Sequence, residues 1–195
     1  MEADRTMNLL ATSALFVMMA STGISTPSQH ASMSGNPMVG GLAMYSNKNI
    51  VQNAVNSKDH TTLVAAVKAA GLVDALQGKG PLTVFAPVNS AFDMLPPGTV
   101  DTLLMPDNKA MLTSILTYHV VAGNWTYDKI GRAINSGHGM ATLKTLNGHK
   151  LMAMWNGPKN IVLKDEKGGI ASISTYDVMQ SNGVIHVINR VLMSN

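Results

Sequence analysis

Two hydrophobic periods divide this chain, and their order limits what it can fold into. From Asn49 to Tyr118, apolar residues recur three and four positions apart. After Gly139, short apolar runs are separated by turns rich in Asn and Gly. The first spacing belongs to helices and the second to hairpins. Helices early and hairpins late predict an α+β domain, with an antiparallel sheet and helices packed on one side or end of it.

The spacing predicts a helix over Asn49–Val55 and a second from Asp59 or His60, with Leu63, Val64, Val67 and Ala70 on one face and Gly71 ending or bending it. Leu82–Phe85 reads as a strand stopped by Pro87, with Asn89 as the cap of the helix that follows. Thr99–Leu104 and Asp107–Tyr118 read as helices. Asp107 is the cap candidate of the second, and Met111, Leu112, Ile115 and Leu116 are its buried stripe. His119–Ala122 reads as a strand and Tyr127–Asn135 as a helix. Hairpin turns are expected at Asn147-Gly148-His149, across 165–169, and at Ser181-Asn182-Gly183.

Composition narrows the chemistry. The 195 residues fit one domain and an extension, and 46% of them are hydrophobic, enough for a core. Only 13% are charged, which suits a module resting against other surfaces or apolar ligands. The net charge of +3 is small and no Lys/Arg cluster alternates with aromatics, which argues against nucleic acid as a partner. With no cysteine, disulfides, thiolate zinc sites and cysteine catalysis are excluded. No G-x-S-x-G motif is present, and Asp93, Asp101, Asp107, Asp165 and Glu166 stand at predicted helix ends or turns, where acids are ordinary. The expectation is no catalytic residue, no metal and no enzyme activity.

The apolar run Leu9–Ala20, followed by Ser21-Thr22-Gly23, is too short to span a bilayer and has the length of a signal core. Residues 1–23 are therefore expected to be a signal peptide and 24–47, rich in Ser, Thr, Gly, Pro and Asn, a flexible linker. The folded domain is expected at 48–195, with no stable membrane span once the signal is removed.

Three landmarks carry a family resemblance. They are Thr83-Val84-Phe85-Ala86-Pro87-Val88-Asn89-Ser90-Ala91-Phe92, then Tyr118-His119-Val120-Val121, then Asn182-Gly183-Val184-Ile185-His186-Val187-Ile188. In this order and at these spacings, the chain from about Asn49 to Met193 resembles a fasciclin-type domain. The resemblance implies a β-wedge or sandwich of hairpins decorated by helices. It also implies a secreted, periplasmic or cell-surface protein that contacts cell-surface or extracellular protein or polysaccharide, with no shared catalytic activity. Some members hold carotenoids. Thr83, Phe85, Pro87, Asn89, Phe92, Tyr118, His119, Gly183 and His186 are the matching signature positions. Val88 and Asn189 depart from the common Thr or Ser and Asp, respectively.

His119 and His186 lie in apolar settings, where a structural role with hydrogen-bonded rings is expected. Trp125, Tyr127, Met152, Met154 and Trp155 are the candidates for contact with a partner or an apolar ligand such as a carotenoid. Aromatic residues near loops and adaptable thioethers suit such contacts. Otherwise no cofactor is expected. Asn124-Trp125-Thr126 is a glycosylation sequon.

Overall fold

The computed structural model describes residues 36–194. The expected signal and the first part of the expected linker lie outside them. The rest of that linker is corrected: Met38–Val39 (β1) and Leu42–Ala43 (β2) pair as an antiparallel hairpin. Val39 and Met44 are buried in the core, so apolar anchors within a Gly-rich stretch order it.

Ile50–Ala54 (α1) begins with a capping box. Asn49 accepts from the Gln52 N–H at 2.8 Å, and the Gln52 side chain accepts from the Asn49 N–H at 3.0 Å. A 3-10 turn leads into Thr61–Ala70 (α2), which Gly71 ends in the left-handed conformation (φ 72°). Val73–Gln77 (α3) follows.

Leu82–Pro87 (β3) runs through Pro87, which pairs with Ile188 as the last residue of the strand rather than stopping it earlier. Asn89–Asp93 (α4), Thr99–Leu104 (α5) and Lys109–Tyr118 (α6) follow. Asp107 lies inside a 3-10 turn instead of capping α6, and Met111 of the expected buried stripe is exposed. The remaining elements are Val120–Ala122 (β4), Tyr127–Ser136 (α7), Met140–Lys144 (β5), Lys150–Trp155 (β6), Ile161–Lys164 (β7), Ile170–Gln180 (β8) and Gly183–Ile188 (β9).

The main sheet has seven strands in the order β4-β3-β9-β8-β7-β6-β5. The α+β class holds, but the sheet is mixed, because β3 and β9 run parallel. Strands so far apart in sequence are joined by a long crossover, which permits parallel pairing. Ile170–Gln180 forms one strand with register shifts between Ile173 and Val178. Such irregularities bend a strand, so β8 pairs first with β7 and then with β9. The edge strands meet where Val121 bridges Thr145 and the Leu146 N–H reaches the Val120 carbonyl at 2.8 Å.

β9 is buried along its whole length, because each face of the central pair meets a separate core. Val84, Ala86, Ile185 and Val187 pack with residues of α1–α6. Phe85 and Ile188 point the other way, to Ile130 and Ile134 of α7 and the inner residues of β5–β8. A central strand buried on both sides reads as a near-continuous apolar run, and in 184–188 only His186 interrupts it.

Candidate functional site

Thr83, Phe85 and His186 meet where β3, β9 and the loop after β4 converge. Thr83 is fully buried. Its hydroxyl donates to the Gly123 carbonyl at 2.7 Å and accepts from the Trp125 N–H at 2.8 Å. The His186 Nε2 donates to the Trp125 carbonyl at 2.7 Å, while its Nδ1 accepts from the Asp177 N–H at 3.3 Å. Its ring stacks on Phe85 with centroids 5.6 Å apart. His119 is used in the same way: its Nδ1 donates to the Ile115 carbonyl at 2.8 Å and its Nε2 accepts from the Leu192 N–H at 3.0 Å.

Burial disfavours the charged form of both imidazoles. It holds His119 down to about 4 and lowers His186, against weaker opposing pulls from the hydrogen-bonded carbonyls. The Tyr118 hydroxyl donates to the Lys150 carbonyl at 2.8 Å and accepts from the Glu166 N–H at 3.2 Å, and burial pushes its pKa up to about 12. These groups are spent on backbone partners and act as a polar seam inside the fold.

Asn89 does not cap α4, whose cap position is Val88 with no side-chain bond. It reaches to α2 instead, accepting from the Thr62 N–H at 3.0 Å and donating to the Lys58 carbonyl at 2.9 Å. It serves a helix start that lacks a cap side chain of its own. Phe92 is buried in the helical core. Gly183 is needed for close approach, since a Cβ there would lie 1.9 Å from the Leu82 carbonyl oxygen. Asn189, in place of the common acid, accepts from the Ser172 N–H at 2.8 Å.

The five candidate contact residues fall in three places. Tyr127 packs edge-on to Trp155 and to Tyr176, with centroids 5.9 and 4.9 Å apart. Tyr176, which carries no signal in the sequence, links this pair to His186 at 6.0 Å. Tyr127 and Trp155 also border a shallow depression with Arg132 and Asn135, and Trp155 donates to Asn135 at 2.8 Å. Trp125 stands apart on its loop under the Lys129 ammonium, 4.5 Å from the ring centroid. Met152 and Met154 lie half-buried on the outer sheet face, opposite the buried Leu151 and Ala153.

None of these five lines a mainly aliphatic cavity under the helices. That cavity, about 270 Å³, lies between α1–α3, α6 and the central strands, and it is lined by Val51, Val64, Val67, Leu72, Val73, Leu76, Val84 and Leu116, among others. Lys68, Gln77 and Thr117 are polar residues on its wall. Val51, Val64 and Val73, apolar residues of α1–α3, are only partly buried beside it. Among the described residues, no group of three His, Asp or Glu side chains converges as a metal site requires.

Comparison with known proteins agrees with this architecture. A model of the Fasciclin domain matches residues 58–194. Protein sll1483 of Synechocystis is 45% identical over 146 residues, covering 74% of this chain and 72% of the relative. The immunogenic protein MPB70 of Mycobacterium bovis is 36% identical over 145 residues, covering 72% of this chain and 66% of the relative. The pig transforming growth factor-beta-induced protein ig-h3 is 40% identical over 131 residues, 67% of this chain but 17% of the longer relative. A solved FAS1 domain pair from the insect cell adhesion molecule Fasciclin I superposes with a TM-score of 0.66 at 18% identity, covering 75% of this chain and 51% of that one. The chain belongs to the fasciclin domain family.

Proposed function

We propose that the protein is an exported, non-catalytic interaction module that binds a cell-surface or extracellular partner, protein or polysaccharide. The observation that carries this reading is the fate of its signature side chains. His119 and His186 are buried, and each has both ring nitrogens engaged by backbone groups, so these two hold geometry instead of moving protons. The similarity to a domain pair from an insect cell adhesion molecule supports the same reading. Export rests on the Leu9–Ala20 run. N-terminal sequencing of the protein from its source is expected to place the mature start between about residues 21 and 32. Labelled mature protein is expected to bind source cells or their surface polymers saturably. Retention of Leu9–Ala20 in a cytosolic protein, or no saturable binding, contradicts the proposal.

The cavity favours a second reading, a carrier of an apolar small molecule such as a carotenoid. Ligand sites are mostly apolar with few polar groups, and this one is lined mainly by aliphatic side chains. Because neither tryptophan lines it, indole quenching is a poor reporter. The better test is solvent extraction and mass spectrometry of protein from its source, compared with a Val64→Trp variant that fills the space. A stoichiometric apolar compound lost in the variant supports the carrier; an empty wild-type protein removes it.

A further inference from the structure

The outward face of β5, β6, β7 and the start of β8 combines apolar and basic side chains and lacks acids. Strand register sets Met140 opposite Met154, Met154 opposite Val162, and Val162 opposite Ser172. The next row is Thr142, Met152, Lys164 and Ile170, and the last sets Lys144 opposite Lys150. None of these outward positions holds Asp or Glu. Met140 is 42% exposed and Ile170 51%.

Like charges directly opposite each other weaken a hairpin, yet Lys144 faces Lys150 with Lys164 on the neighbouring strand. Lys159 and Lys167 add charge at the adjoining turns. The two acids within residues 140–174 are held by local bonds. Asp165 accepts from the N–H groups of Gly169 and Met193 at 2.6 and 3.0 Å. Glu166 accepts from the Lys150 N–H at 3.1 Å and contacts His149 Nδ1 at 2.8 Å. This segment holds five of the fourteen basic residues and two of the eleven acids, so the formal excess of +3 falls entirely within it.

We propose that this face docks on an anionic membrane surface. Lysines at Lys144, Lys150 and Lys164 meet lipid phosphates, and Met140, Met154 and Ile170 enter the boundary between headgroups and acyl chains. A soluble polyanion neutralises the lysines but leaves the apolar positions in water, whereas a lipid interface takes both. The inference rests on the reading of the chain as a surface-interaction module and gives its partner a chemistry.

The test is co-sedimentation of the full chain, with the same N-terminus in every variant, with vesicles. One set is phosphatidylcholine alone and the other an equimolar mixture of phosphatidylcholine and phosphatidylglycerol. Selective binding to the anionic set is expected, weakened about fivefold by each of Lys144→Gln, Lys150→Gln and Lys164→Gln. The double variant Met140→Ser/Ile170→Ser is expected to lose vesicle affinity while its retention on dextran sulfate stays unchanged. These positions are exposed, and the circular dichroism of each variant confirms its fold. Absence of anionic selectivity, or indifference to the lysine substitutions, overturns the inference. Vesicle binding indifferent to Met140→Ser/Ile170→Ser but competed by dextran sulfate assigns the face to a polyanionic polysaccharide and also overturns it. Cell-surface binding that persists without vesicle binding removes only this inference; loss of both removes the functional reading too.

Discussion

The His119 imidazole pins the C-terminal segment to the end of α6: its Nε2 accepts the Leu192 N–H at 3.0 Å while its Nδ1 donates to Ile115. Only the neutral ring can donate at one nitrogen and accept at the other.

Stability should therefore depend on pH. Burial holds folded His119 down to about 4, against an ordinary 6.5, and also lowers His60 and His186. A depressed folded pKa means that the unfolded chain takes up the proton first. The stabilisation is complete above about pH 6.5 and is lost as pH falls towards 4, by on the order of 3 kcal/mol for His119. Urea midpoints measured across that window should fall with pH. In His119→Ala the slope should be shallower.

His186→Phe should retain the stack on Phe85 and lose both hydrogen bonds, leaving the Trp125 carbonyl without its donor. The expected cost is about 1–3 kcal/mol, read from the denaturant midpoint. His186→Ala should cost more, because it also opens space in the core. A stability equal to wild type in His186→Phe would show that the bonds to Trp125 and Asp177 contribute nothing net.

Asn89→Ala should destabilise α2 although Asn89 lies outside it. It removes the acceptor of the Thr62 N–H, and loss of a cap costs about 0.5–2 kcal/mol. Hydrogen exchange should quicken at Thr62 and through the first turn of α2 more than in α4. The opposite pattern would return Asn89 to its own helix.

Gly183→Ala should be among the most damaging single substitutions, since the added Cβ meets the Leu82 carbonyl oxygen at 1.9 Å and forces β3 from β9. Gly148→Ala is the comparison: it bears only the strain of a left-handed turn (φ 90°) with open space around it. Soluble yield and melting temperature should drop much further for Gly183→Ala than for Gly148→Ala.

Much of the candidate site is legible in the sequence. Thr83, Tyr118, His119 and His186 stand out from the landmarks, and structural roles for the two histidines follow from their apolar neighbours. Tyr176 does not stand out, because its value lies in linking Tyr127 to His186, residues distant in sequence. The cavity carries no such signal, since a void depends on where several helices fail to meet.

What the sequence by itself determined is local: the helix beginning near Asn49, the break at Gly71, the turn at Asn147-Gly148, and the change from helical spacing to hairpin runs that sets the α+β class. Each depends on backbone preferences and hydrogen bonds spanning a few residues. Only the tertiary structure decided that β3 lies parallel to β9, that Asn89 serves α2, that the residues before Asn49 join the core, and that Met152, Trp125 and Trp155 part company. Those outcomes depend on which distant segments bury one another's apolar faces, and hydrophobic burial has no direction or register until the whole chain supplies the partners.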